Sequence, residues 1–307
     1  MSTVPPRFAA IDVGTNTVLL LVAERQGDAL VPLLERSEIT RLGRGVDRTG
    51  LLDPGAVGDT VAVLSLYTRL ARELGAAAIA CVATSAARDA RNGAEFFAAA
   101  RERAGLTPEV ISGEEEARLV YLAAFKDFGS GGLAVLDVGG GSTEFIVGEG
   151  PVLRARLSLQ VGAVRLTERH VRGDPIPAEE LAALREAARG ALEPLTAIEP
   201  APGARLVGVA GTVTTLCAVV RGLPRHEPQR VHGASLSLGE IERTIESLAR
   251  LTVRERAQVP GMEPKRADVI VGGAVVVAEA MRRTRLDRLT VSDRGVRWGL
   301  LYDRFKS

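Results

Sequence analysis

The chain has 307 residues, 46% of them hydrophobic and 25% charged, with a formal net charge of +1. That length accommodates two cores of normal size, and the near-neutral balance argues against a general nucleic-acid binder. The two cysteines, Cys81 and Cys217, lie far apart in apolar runs, with neither metal spacing nor a disulfide framework.

Arginine supplies nearly all the positive charge, the lysines being Lys126, Lys265 and Lys306. The longest apolar run, Val269 to Ala278, is too short to span a bilayer. The opening "MSTVPPRFAAIDVG" has no basic segment followed by an apolar stretch, so a cytoplasmic location and no membrane partner are expected.

In chain order, Phe8 to Val13 reads as a buried strand, followed by a tight polar turn and a second strand, Thr17 to Glu24. Asp53 and Pro54 give an N-cap and an N1 proline, and Gly75 a stop, for a helix between them. A strand is predicted at Ala76 to Ala83, a helix at Ala94 to Ala104, and a strand at Pro108 to Ile111. A helix rich in glutamate then runs to about Phe128. The glycine-rich stretch 129–132 is the clearest break. It predicts domains over 1–128 and 129–307, with the last helix, from about residue 296, packing back on the first domain.

After the break come strands at Leu133 to Val138 and Thr143 to Val147, then a helix at Ala178 to Leu195. A strand at Arg205 to Val209 runs into a short helix. Helices at Leu238 to Leu251 and Ala267 to Arg283, a strand at Leu289 to Val291 and a terminal helix from Val296 follow. Alternating strands and helices imply a mixed or parallel sheet covered by helices. The restart is a duplication: "IDVGTNTVLLLV" (11–22) and "LDVGGGSTEFIV" (136–147) align without a gap. Each half is expected to be built on the same hairpin, the two halves facing a central cleft.

A glycine-rich hairpin turn can aim several backbone N–H groups at one anion, and small hydroxyls add donors. Gly14, Thr15, Asn16 and Thr17 fit this in the first turn; Gly139, Gly140, Gly141, Ser142 and Thr143 fit it in the second. A third turn, "GVAGTVTTL" (208–216), places Gly211 and Thr212 between a strand and a helix start, where N–H groups favour an anion. Asp12 and Asp137 end their strands beside these turns. A carboxylate there repels phosphate unless a cation lies between, which implies Mg²⁺ (or Mn²⁺).

In "ISGEEEARLVYLA" (111–123) three glutamates open a helix. Ser112 is a natural N-cap and Glu115 stands in the capping-box position. Glu114 is four residues before Arg118, the spacing of an ion pair. Glu116 heads a stripe with Leu119, Val120 and Ala123 that is expected to be buried. No histidine, among His170, His226 and His232, shows ligand spacing.

The three turns resemble those of the actin-like ATPase superfamily. The ordered set "AIDVGTNTVLLLVAE", "ITRLGRGV", "ATSAARDARN", "ISGEEEARLVYLA", "VLDVGGGSTEFIVG", "GVAGTVTTL" and "VSDRGVRWGLLY" resembles the exopolyphosphatase/guanosine-pentaphosphate phosphohydrolase (Ppx/GppA) family along essentially the whole chain. The resemblance implies an α/β fold of two actin-like (ribonuclease H-like) domains, in the short two-domain form. It also implies a cytoplasmic homodimer that removes terminal phosphate from polyphosphate or the 5′ γ-phosphate from pppGpp. Aligning on "EEAR" puts the family's catalytic glutamate at Glu116, a general base for the attacking water. Asp137 and Glu144 match metal ligands, with Asp12 assisting, and Arg88 in "TSAAR" matches an arginine that contacts phosphate.

Exopolyphosphatase activity on short chains is the leading expectation and pppGpp hydrolysis the alternative. An actin-like small-molecule kinase and a non-catalytic sensor stand further back. A kinase needs an acceptor site, and a sensor would not need an intact glutamate with its glycine turns.

Overall fold

A computed structural model describes residues 5–129, 131–224 and 227–305. Ser130 of the glycine-rich break, His226 and Lys306 lie outside the described residues. The chain divides into two compact units, 1–119 with 296–307, and 120–295. The division falls inside a helix, upstream of the glycine-rich stretch that composition marks, and the last helix is counted with the first unit.

The first unit holds strands β1 (Arg7–Val13), β2 (Thr17–Gln26), β3 (Ala29–Ile39), β4 (Ala76–Ala83) and β5 (Glu109–Val110) in the order β3-β2-β1-β4-β5. Its helices are α1 (Val46–Thr49), α2 (Pro54–Glu73), α3 (Ser85–Asp89), α4 (Gly93–Ala104) and the start of α5 (Gly113–Phe128). The second unit holds β6 (Gly132–Val138), β7 (Thr143–Glu149), β8 (Val152–Leu159), β9 (Arg205–Val209), β10 (Ser235–Ser237) and β11 (Arg288–Val291), ordered β10-β11-β9-β6-β7-β8. Its helices are α6 (Ala163–His170), α7 (Ala178–Ala191), α8 (Ala210–Val220), α9 (Pro228–Val231), α10 (Leu238–Ala249), α11 (Val253–Arg256) and α12 (Ile270–Thr284). α13 (Val296–Arg304) closes the chain.

The duplication is visible in the topology. Two antiparallel hairpin pairings, β1–β2–β3 and β6–β7–β8, are each extended by parallel strands, β4 then β5, and β9 then β11. β10 is an extra antiparallel edge in the second sheet. The turns close identically: Gly14 N–H donates to Thr17 O and Gly139 N–H to Ser142 O, each at 3.0 Å.

The third strand of each hairpin, β3 and β8, has no strong signature in the sequence. Most β3 side chains are exposed or half-buried, and Pro32 sits in it, as proline does only on an edge strand. β8 is an edge that is nowhere fully buried. Both are held by ladder hydrogen bonds to their neighbours rather than by an apolar stripe.

Alternation along β1 sends Ala9, Ile11 and Val13 into the core formed with α2 and α4. Ala10 and Asp12 therefore take the other face of the sheet. In β6, Ala134, Leu136 and Val138 enter the second core, where every residue from Ile270 to Met281 of α12 is buried, and Asp137 takes the opposite face. Both strand-ending aspartates thus avoid the main core of their unit.

Within the first unit, α13 packs on β1, β2 and β4 and crosses α5 closely at Gly299. A Cβ there would sit 1.9 Å from the Leu119 carbonyl oxygen. That oxygen is backbone and cannot step aside. Gly299→Ala is therefore expected to destabilise the chain by about 1–3 kcal/mol, the usual cost of overpacking. A wild-type Tm in that variant would contradict the crossing.

Candidate functional site

In each hairpin turn the surrounding chain captures the carbonyls of the turn's middle residues, while the amide of its first glycine closes the hairpin. In a trans peptide the C=O of one residue and the N–H of the next point in opposite directions. Capturing a carbonyl on one side of a turn therefore aims the following N–H to the other side.

In the first turn, Gly43 N–H donates to Thr15 O at 2.8 Å, and the N–H groups of Thr40 and Arg41 donate to Asn16 O at 3.2 and 3.0 Å. The Asn16 N–H is thereby turned away from loop 40–43. Gly43 is required, because a Cβ would lie 2.3 Å from Thr15 Cγ2. Arg41 reaches its acceptor only in the left-handed region, at φ 55, a conformation that costs a non-glycine residue energy. The sequence marks this loop through its "ITRLGRGV" motif but not its capture of the Thr15 and Asn16 carbonyls.

In the second turn the captor is α6. Ala163 N–H donates to Gly139 O, and the N–H groups of Val164 and Arg165 to Gly140 O, at 2.9, 2.9 and 3.1 Å. Gly162 permits this approach, since a Cβ would lie 2.6 Å from Gly140 O. The sequence reading missed α6, and the reason is physical. Its N-cap Gly162 supplies no side-chain acceptor. The first amides of the helix are satisfied instead by the turn, some twenty residues upstream, so no local start signal exists.

The hydroxyls are a correction to expectation. Thr15 Oγ1 is hydrogen-bonded to Ser85 Oγ at 2.7 Å, Thr143 Oγ1 donates to Val161 O at 2.6 Å and Thr212 Oγ1 donates to Val138 O at 3.2 Å. These three side chains tie the turns to their scaffold, so what remains for a ligand is mainly backbone N–H. Gly14 and Gly139 spend their amides closing the hairpins. Ser142, 3% exposed, makes no internal hydroxyl bond among the described residues.

The third turn begins α8. Ala210 stands at φ 69 and Gly211 follows it. The guanidinium of Arg266 lies against Gly211 so closely that a Cβ would meet Arg266 Cζ at 2.1 Å. Burial holds the pKa of Arg266 down to about 10, with the Glu263 charge acting the other way, so it stays cationic at neutral pH. Arg266 is not among the phosphate contacts expected from the sequence. The clue in the letters is Gly211, whose missing side chain makes the room.

The carboxylates differ between the halves. Asp137 and Glu144 are direct cross-strand partners on β6 and β7, which places both on one face of the sheet. They are 6% and 1% exposed. Glu144 Oε1 accepts from Ser158 Oγ at 2.8 Å, extending the polar row to β8. Two buried like charges side by side are unfavourable unless a cation joins them. In the first half the residue opposite Asp12 is Leu19, so there is no such pair.

Asp12 is 8% exposed and its Oδ1 has no hydrogen-bond partner among the described residues. Burial pushes its pKa up to about 7, against the pull of Arg297. Arg297, on α13, is paired with Glu35 of β3.

Among the described residues no group of three or more His, Cys, Asp or Glu side chains could hold a metal alone. A pair of carboxylates is nonetheless a fitting donor set for Mg²⁺, which keeps several waters and binds through one or two carboxylates and substrate oxygens.

The raised pKa of Asp12 has a direct consequence for stability. A carboxyl that holds its proton more tightly when folded contributes stability below its unfolded pKa of 3.8, and that stability is lost as pH rises through about 7. Asp12→Asn in metal-free buffer is therefore expected to stabilise the fold at pH 8, on the order of 2–4 kcal/mol, and to change it little at pH 4. Denaturant titrations at the two pH values measure the difference, and an equal effect at both contradicts the assignment.

At the start of α5 the structure separates the three glutamates. Ser112 Oγ accepts from Glu115 N–H at 3.1 Å, the expected N-cap. The ion pair differs from expectation. Arg118 is gripped by both oxygens of Glu115, at 2.8 and 2.9 Å, and by Asp303 of α13 at 3.0 Å, where the spacing had pointed to Glu114. Three residues on a helix suit this two-pronged contact as well as four do. Glu116 is 8% exposed and Glu114 is exposed. Arg88 Nη1 donates to Ile111 O at 3.0 Å, and its Nε lies 3.4 Å from Asp89. It thereby ties α3 to the residue before the Ser112 cap.

These motifs are shared with known proteins. A profile of the Ppx/GppA phosphatase family matches residues 21–307. The chain belongs to that family. Exopolyphosphatase 2 of Mycobacterium tuberculosis is 39% identical to it over 311 residues, covering 96% of this chain and 97% of that protein. The crystal structure of the Aquifex aeolicus Ppx/GppA family member is 35% identical, with a TM-score of 0.82 over 97% of this chain and 96% of that one. An exopolyphosphatase from Cytophaga hutchinsonii superposes with a TM-score of 0.87 at 26% identity, covering 96% of each chain. As a Ppx/GppA protein the chain has the actin-like two-domain fold, which accounts for the repeated strand order. Among the described residues no helix is long and apolar enough to cross a membrane.

Proposed function

We propose that this Ppx/GppA protein is a Mg²⁺-dependent exopolyphosphatase that releases orthophosphate from the end of short polyphosphate chains. The observation that carries the reading is the second turn. Its carbonyls are drawn off by α6, the amides of Gly140, Gly141 and Ser142 are left for an anion, and two buried carboxylates stand opposite each other on the strands it joins. The 39% identity to an exopolyphosphatase along nearly the whole chain supports it.

Asp137 and Glu144 would hold the metal, with Asp12 assisting. Bound there, Mg²⁺ would offset phosphate charge and so ease the approach of a nucleophile. The N–H groups of Asn16, Gly140, Gly141 and Ser142, with Arg88, Arg266 and the Gly211–Thr212 turn, would bind and orient the phosphates. Glu116 takes a proton from the attacking water. The new P–O bond forms from that water as the terminal P–O–P bond breaks, and the shortened chain leaves with the bridging oxygen.

Phosphate release measured with Mg²⁺ on short polyphosphate, long polyphosphate, pppGpp and ATP tests this reading. Preference for short polyphosphate is expected. Preference for pppGpp would replace the substrate and keep the chemistry. Binding of polyphosphate without release would overturn the enzyme reading in favour of a sensor, and ATP consumption only with an added acceptor would favour a kinase.

A further inference from the structure

Three consecutive peptide planes form the second turn. The first two, Gly139–Gly140 and Gly140–Gly141, are fixed by backbone amides of α6. The third, Gly141–Ser142, is fixed by a side chain: Arg165 Nε donates to Gly141 O at 2.8 Å. The same residue's own N–H is bonded to Gly140 O, so Arg165 grips two successive planes. A hydrogen bond from a charged donor is stronger than one from a neutral amide.

The grip matters because of what surrounds it. Glycine can adopt nearly any backbone conformation, so Gly141 places little restraint on its side of this plane, and the captor supplies the restraint that the glycine lacks. With Gly141 O captured on the α6 side, the Ser142 N–H is aimed to the opposite side, alongside those of Gly140 and Gly141. Ser142 also carries the hydroxyl that has no internal partner among the described residues, so one plane sets the direction of two donors.

We propose that Arg165 is a positioning residue for phosphoryl transfer, holding the Gly141–Ser142 peptide so that the amide and hydroxyl of Ser142 meet the bound phosphate. This rests on the reading of the second turn as a phosphate cradle. Arg165 acts through the backbone. A misaimed donor costs rate even though the turn and its glycines are intact.

The test compares wild type with Arg165→Leu and Arg165→Lys in the full chain. Three quantities are measured: kcat/KM on tripolyphosphate with Mg²⁺, calorimetric binding of its imido analogue, and the Ser142 amide resonance as the analogue is added. Arg165→Leu is expected to keep a Tm near wild type and to lose about 10- to 100-fold in kcat/KM. Its Ser142 amide should no longer shift on binding, and Arg165→Lys should recover part of both.

Wild-type kcat/KM and binding in Arg165→Leu overturn the role of Arg165 and leave the cradle standing. Lost activity with an undisturbed Ser142 response also overturns it, since charge alone would then be at work. If Arg165→Leu does not fold, Arg165→Lys decides: reduced kcat/KM with an altered Ser142 response supports positioning, and wild-type values reject it. A wild-type chain that neither binds nor hydrolyses the triphosphates overturns the cradle itself and the inference with it.

Discussion

Glu116→Gln is expected to leave the chain folded and to lower turnover by roughly 10²–10⁴-fold, the range for loss of a positioned general base. The side chain is buried at the first turn of α5, where glutamine has the same shape and size. The helix start does not depend on its charge: Glu116 N–H donates to Ser112 O at 2.9 Å, and Ser112 Oγ caps Glu115. Losing one negative charge at a helix N-terminus costs about 0.3–1 kcal/mol, and removing a like charge beside Glu114 and Glu115 offsets it.

Glu115→Gln gives the contrast. That carboxylate binds Arg118 through both oxygens, and the contact holds its pKa below the usual carboxylate range. The pair is about a third exposed, so its loss should cost no more than about 1 kcal/mol and leave turnover nearly unchanged. Steady-state rates and Tm for the two variants decide the matter. Equal turnover in Glu116→Gln and wild type would remove Glu116 from the mechanism.

Asp137→Asn is expected to lower turnover by about 10²–10³-fold, as removal of a key electrostatic group typically does, and to weaken the stabilisation that Mg²⁺ gives the chain. The two effects have one origin. Asp137 and Glu144 face each other across β6 and β7, both nearly fully buried. A cation bound between them would offset their repulsion. Wild type should gain Tm as Mg²⁺ is added, because a ligand that binds only the folded state stabilises it, and Asp137→Asn should gain much less. Thermal scans with and without Mg²⁺ measure both quantities. An equal gain in Tm with Mg²⁺ in variant and wild type would remove Asp137 from the metal site.

The sequence marked the two "D-V-G" hairpins because a gapless repeat of letters folds into a repeat of register: Val13 pairs Val18, and Val138 pairs Thr143. It marked the burial of Glu116 because helical spacing places it above Leu119, Val120 and Ala123, all buried. The helices α2, α10 and α12 and the strands β1, β4, β6 and β9 were equally legible, since their apolar periodicity and caps are local.

What the sequence by itself determined is therefore the repeated hairpin, the glycine turns at its tips and the carboxylates beside them. These follow from interactions between residues close in the chain. Tertiary structure alone decided what lies behind each turn. Gly43 and Arg41 meet Thr15 and Asn16 from the far end of β3, and α6 meets Gly139 and Gly140 from beyond β8. It also decided that Arg266 fills the space left by Gly211, and that Thr15, Thr143 and Thr212 give their hydroxyls to the scaffold. A peptide group has two ends pointing opposite ways, and which end meets a ligand depends on what captures the other. That captor is distant in the chain, so spacing within a motif carries no record of it.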